Sequence, residues 1–150
     1  MHNWASNNND DIPPAAIKDK AGKKLLSWRV EMLPWLEQDP LYRRFNRDEP
    51  WDSEHNKKLI PLMPKVFVDP RLPAAPGMTY YKAFTMKGAS MDAARSMNLG
   101  RCPDGTGNTL LIAAGGDPVV WTKPDDFDFD LDKPFPDLSK PFGNLIAVFG

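Results

Sequence analysis

Apolar residues fall at helical spacing in the first part of the chain and in short strand-like runs in the second. Residues 15–26 (AAIKDKAGKKLL) put apolar anchors on either side of a polar turn at Lys20–Gly22, which predicts a small hairpin or irregular loop. In 27–38 (SWRVEMLPWLEQ), Trp28, Met32, Trp35 and Leu36 recur on one helical face with Leu33 beside them, and Ser27 precedes the run as a cap. Pro34 lies inside that pattern. It has no N–H and its ring clashes with the preceding turn, so two short pieces are predicted rather than one helix. Asp39–Pro40 supplies a cap with proline at the first helical position, opening LYRRF with Leu41, Tyr42 and Phe45 inward. Ser53 caps a third short helix, EHNKKLI, which Pro61 stops. Residues 2–11 are polar and Asn-rich and read as a helix end entering a loop closed by Pro13–Pro14.

From Val66 the period shortens. VFV at 66–68 reads as a short strand, and MTYYKAFTM at 78–86, rich in aromatic and β-branched residues, as a longer one. The continuous apolar run TLLIAA at 109–114 fits a central strand buried on both faces. VVW at 119–121 and NLIAVF at 144–149 are further strands, with a turn at Gly115–Gly116 and Asp117–Pro118 before the former. MDAARSM at 91–97 predicts one or two helical turns. Helices first and then strands with short links imply one α+β domain over 1–150, in which short helices pack on a mainly antiparallel sheet of about four strands.

Composition sharpens this picture. Sixteen prolines in 150 residues are about twice the usual share of roughly 5%. Each fixes φ and removes a donor, so neither long helices nor long central strands are expected after the first residues. A net charge of −1 offers no cationic excess for phosphates and argues against a nucleic-acid partner. Single Cys102 cannot form an internal disulfide or a cysteine-based zinc cluster, and reads as a half-buried small apolar residue. No run reaches the roughly 18–20 apolar residues of a membrane span, and the polar start MHNWASNNND is not a signal peptide.

Few residues carry candidate chemistry. Asp52, Ser53 and His55 contain the elements of a hydrolase triad, but groups so close on one helix start do not converge, and capping is the expected role. In DDFDFDLDKPFPD at 125–137, Asp126, Asp128, Asp130 and Asp132 alternate with Phe127, Phe129 and Leu131. An extended chain would put the carboxylates on one face, where hard oxygens could hold calcium. The twelve-residue calcium loop is not matched, since its glycine and final glutamate are missing. The competing reading is an edge segment docked by its phenylalanines, its aspartates discouraging sheet-to-sheet association. Asp104–Gly105–Thr106–Gly107–Asn108 lacks the lysine of a phosphate loop and reads as a turn. Trp28, Trp35, Trp51 and Trp121 could stack on sugars, but in amphipathic segments they read as core; Trp51, beside Pro50, is the one expected to be accessible. No acid, base and nucleophile form a set, so no enzyme is expected.

Five ordered segments carry a family likeness: His2–Asn3 with Pro13–Pro14–Ala15–Ala16; Leu25–Leu26–Ser27–Trp28–Arg29–Val30 running to Leu33–Pro34–Trp35–Leu36–Glu37–Gln38; Asp48–Glu49–Pro50–Trp51–Asp52–Ser53 through His55–Asn56–Lys57–Lys58–Leu59 to Met63–Pro64–Lys65–Val66; Asp104–Gly105–Thr106 with Asn108–Thr109; and Trp121–Thr122–Lys123–Pro124. On these the chain resembles a large bacterial family, abundant in planctomycetes, known as the domain of unknown function 1559. That family looks like type IV pilins and pseudopilins. Its fuller members have a prepilin-like leader and a hydrophobic helix, and many end near a His-x9-Asp-Gly motif. The resemblance implies a pilin-like fold, an extracytoplasmic place in the cell envelope, self-assembly or contact with other surface proteins, and membrane attachment only through the amino-terminal helix. Pseudopilin likeness also raises the case for calcium in the late acidic loop; no other cofactor is implied. The sequence departs from the pattern in lacking the hydrophobic part of that helix, in Gly107 where serine is usual, and in stopping at Phe149–Gly150 where Asp-Gly would follow. A fragment, or a domain excised from a longer protein, is expected. The function implied is that of a structural or assembly protein resembling a pseudopilin head; the alternative is a cell-surface module binding carbohydrate or calcium.

Overall fold

A computed structural model describes residues 11–85, 110–128 and 146–149. The described elements run β1 (Ala16–Lys18), β2 (Lys24–Ser27), α1 (Trp28–Glu31), a 3₁₀ turn at Leu33–Leu36, α2 (Asp39–Tyr42), α3 (Glu54–Lys57), 3₁₀ turns at Ile60–Leu62 and Lys65–Phe67, then β3 (Met78–Thr85), β4 (Leu110–Val120), β5 (Phe127–Asp128) and β6 (Ile146–Phe149). This is an α+β fold with a two-stranded sheet, β1-β2, and a four-stranded sheet ordered β5-β3-β4-β6. The chain divides into two compact units, Ala16–Thr79 with Pro118–Asp125, and Met1–Ala15 with Tyr80–Asp117 and Asp126–Gly150.

The first unit takes its form from capped, proline-cut helical pieces. β1 and β2 pair antiparallel, Ile17 against Leu26, around a turn in which Asp19 accepts from the amides of Ala21 and Lys23. Ser27 ends β2 and caps α1, its Oγ accepting from the Arg29 amide at 3.2 Å, while its own N–H donates to Thr122 O at 2.9 Å. Pro34 converts the next turn to 3₁₀. The repeat shortens from 3.6 to 3.0 residues, so Trp28, Met32 and Leu33 are buried while Trp35 and Leu36 are only half-buried. The expected five-residue apolar face is therefore split. α2 begins one residue earlier than expected, at Asp39, with Gln38 at the cap and Pro40 inside the first turn; Leu41 and Phe45 turn inward as expected.

Trp121 is the centre of this unit. It is fully buried, stacked on Phe67 (centroids 5.9 Å apart, 24° between planes) and edge-on to Phe45 (5.7 Å, 84°), while Trp28 meets Phe67 edge-on at 6.2 Å. Its indole N–H donates to Ile60 O at 2.9 Å and its backbone N–H to Gly77 O at 3.0 Å. Burial of a large aromatic with its one donor satisfied is among the larger single contributions to a core of this size.

Two strand expectations fail. Residues 66–68 do not form a strand: Lys65–Phe67 is a 3₁₀ turn that Pro64 caps, Phe67 N–H returns to Pro64 O, and only Phe67 is buried while Val66 and Val68 are exposed. The predicted turn at 115–118 is instead the middle of β4, which runs unbroken from Leu110 to Val120. Gly116, at φ 65°, adopts within the strand a backbone that most residues avoid.

The second unit holds the sheet core. Phe84, Ala113 and Phe127 are buried together, the two phenyl rings 5.2 Å apart, with Lys82 Nζ 4.9 Å from the Phe127 ring. β4 lies between β3 and β6 as a central strand, and pairs antiparallel with β6, Ala113 against Ala147. β5 is the parallel exception in a sheet expected to be mainly antiparallel. It runs parallel to β3, Phe84 opposite Phe127, as an edge strand docked by its phenylalanine.

Candidate functional site

The motif WDSEHN resolves into a loop clasp. Ser53 caps α3, accepting from the Asn56 amide at 3.1 Å. Asn56 has no exposed surface, and its carboxamide holds the 46–50 loop. Oδ1 accepts from Asn46 N–H at 3.0 Å, and Nδ2 donates to the carbonyls of Asn46 (2.9 Å), Glu49 (3.2 Å) and Pro50 (3.0 Å). His55 Nε2 is hydrogen-bonded to Arg44 O at 2.7 Å, and Asp52 is exposed. The three triad-like residues thus serve separate local ends, with Ser53 as the cap. Arg29, also fully buried, donates through Nη1 to Ser27 Oγ at 2.6 Å and lies 4.9 Å from the Trp28 ring centre.

The acidic segment is brought together only in part. Asp126 Oδ1 accepts from Ala83 N–H at 2.9 Å, closing the open end of the β3–β5 ladder, and Asp128 is exposed. Asp130 and Asp132 lie outside the described residues, as do Cys102, His2, the 91–97 segment and the Asp104–Asn108 turn. Among the described residues no three His, Cys, Asp or Glu side chains group as a metal site, and no helix is long and apolar enough to cross a membrane. Of the tryptophans, Trp28 and Trp121 are core, and Trp51 is half-buried with Lys123 Nζ 5.9 Å from its ring centre. Lys123 also pairs with Asp125 at 2.6 Å. Thr122 Oγ1 is buried with no hydrogen-bond partner.

Two features were not read from the sequence. The first is a polar cluster. Tyr42 OH lies 3.4 Å from both oxygens of Glu31 and accepts from Arg47 Nη1 at 2.6 Å, with the Arg47 guanidinium 5.3 Å from the Tyr42 ring centre. Burial raises the Glu31 carboxyl above its ordinary value, opposed by the Arg47 charge and by the Tyr42 hydrogen bond. Burial also raises Tyr42, aided by the Glu31 charge.

The second is an open groove between the α2 region and the 61–66 segment, formed of two adjoining hollows of about 440 and 540 Å³. Leu36, Leu41, Leu62, Met63 and Val66 supply its apolar lining, and Glu37, Arg44 and Lys65 its charges. Leu62 is 42% and Val66 56% exposed, high for aliphatic side chains in an ordered turn. Glu37 stands at the lip at φ 60°, the left-handed region, its N–H bonded to Leu33 O. The available signal was Ile60–Pro61–Leu62–Met63–Pro64, where two prolines prevent the turn from rotating all its apolar residues inward.

A family model described as a protein of unknown function (DUF1559) matches residues 1–75, a span that contains the clasp, the polar cluster and the groove. No curated protein and no solved structure matches the chain.

Proposed function

Because the chain belongs to the DUF1559 family of proteins of unknown function, we propose that it is a structural or assembly protein of the cell envelope, resembling a pseudopilin head, and not an enzyme. The observation that carries this reading is the groove. Exposed Leu62 and Val66, in a groove also lined by Glu37, Arg44 and Lys65, make a surface suited to contact with another protein. The polar side chains of the matched half support it, since Ser27, Ser53 and Asn56 are engaged in holding backbone. A calcium or carbohydrate role has less in its favour. Asp126 is committed to Ala83 N–H, and Lys123 lies against the Trp51 ring on which a sugar would stack. Fractionation of cells producing the tagged full gene product tests the proposal. The envelope fraction should hold it, in complexes larger than one chain after mild cross-linking; recovery solely as a cytoplasmic monomer would refute it.

A further inference from the structure

The groove carries its own complementary charges. Glu37, Arg44 and Lys65 line it, all exposed, and none has an ion-pair partner among the described residues. One acid and two cations therefore line the same two adjoining hollows as the exposed apolar pair Leu62 and Val66, entirely within the unit containing Ala16–Thr79. Glu37 adds a second observation. It closes the 3₁₀ turn at φ 60°, a position where glycine would sit unstrained, and it places a carboxylate at the lip of the groove instead.

A patch bearing both signs of charge around an apolar centre can match itself. Under a twofold axis each residue i meets j while j meets i, so a contact between Glu37 of one copy and a cation of the other would form twice over. A partner of uniform charge would leave either the acid or the two cations opposed. We propose that the Leu62–Val66 groove is a self-association surface, which a second copy of this chain covers in an isologous pair, with Glu37 set against Arg44 or Lys65. This rests on the assembly reading above and names the partner at that site.

Sedimentation equilibrium on the 150-residue chain tests it, with far-UV circular dichroism and tryptophan fluorescence to confirm that each variant is folded. The chain should show a concentration-dependent dimer. Glu37→Lys alone, and the double variant Arg44→Glu with Lys65→Glu alone, should each weaken it by about tenfold, since every swap acts twice by symmetry. An equimolar mixture of the two should restore it, because the swapped charges again oppose one another. Glu37→Gly, which relaxes the backbone and removes the charge, should keep the fold and weaken the dimer. A monomer at every concentration overturns the proposal, as does a dimer indifferent to both swaps or a mixture that fails to recover. A folded monomer that instead binds an acidic apolar peptide through Arg44 and Lys65 gives the groove a different occupant and also overturns it. Cytoplasmic recovery in the fractionation experiment would remove the envelope role while leaving a dimer measured here intact, so the two failures are distinguishable.

Discussion

Asn56 shows how one buried polar side chain can replace a missing element of secondary structure. The 46–50 loop has few regular partners, and its backbone groups are met by a carboxamide that offers two donors and one acceptor oxygen. Neutral hydrogen bonds contribute little net energy each, but a buried group left unsatisfied costs about 1–3 kcal/mol. Asn56→Ala strips several groups at once, and a loss of about 3 kcal/mol is expected from urea unfolding. Asn56→Asp keeps the size but sets a carboxylate against three carbonyl oxygens, so its loss should be larger still. A midpoint unchanged in both variants would mean that the loop is held by other contacts. In the sequence, Asn56 was visible only as one residue of a matched segment. Nothing in local spacing distinguishes an asparagine that clasps a loop from one on a solvated helix face.

At the scale of elements, legibility follows the range of the interactions. The β1-β2 hairpin, the Ser27 and Ser53 caps and the break at Pro34 are decided within a few residues, and the sequence expectation agrees with the structure at each. The failures at 66–68 and 115–118 were decided at a distance. Val66 and Val68 have strand propensity, but Pro64 starts a 3₁₀ turn, and Thr79 Oγ1 donates to Phe67 O at 2.7 Å. Gly115–Gly116 and Asp117–Pro118 have turn composition, yet β4 continues through them to Val120, and Trp121 follows directly, packed on Phe45 and Phe67. The seat of Trp121 also constrains Gly77. At φ 78°, a Cβ there would lie 2.5 Å from Ile60 Cγ2 and 3.1 Å from Ile60 O, the carbonyl that receives the Trp121 indole N–H. Gly77→Ala combines a left-handed backbone with overpacking, and a loss of about 2–4 kcal/mol is expected. Displacement of Ile60 should also red-shift tryptophan emission as Trp121 loses its seat. An alanine variant with native stability and emission would show that the 60–62 turn yields freely.

For the molecule as a whole, the fold class was legible because segregation of helical and strand patterns survives errors at single elements. The candidate site was less so, since a groove arises from what the packed core leaves uncovered, and neither Glu31–Tyr42–Arg47 nor Glu37–Arg44–Lys65 is adjacent in sequence. The first of these clusters has a consequence for global stability. Burial raises the Glu31 carboxyl above its ordinary value of 4.5, so the folded protein holds this proton more tightly than the unfolded chain does. Its contribution is then most favourable at low pH and is lost as pH rises from the unfolded value through the folded one, the reverse of an ion-paired carboxylate. Arg47 and the Tyr42 hydroxyl reduce the effect without reversing it. Glu31→Gln removes the ionisation and leaves an oxygen for Tyr42 OH. The stability difference between Glu31→Gln and the parent, from urea titrations across this range, should be near zero on the acid side. It should grow in favour of the glutamine as pH rises towards neutrality, then level off above the folded value. A difference of the opposite sign would mean that the Arg47 charge outweighs burial, and that Glu31 stabilises the fold as a carboxylate.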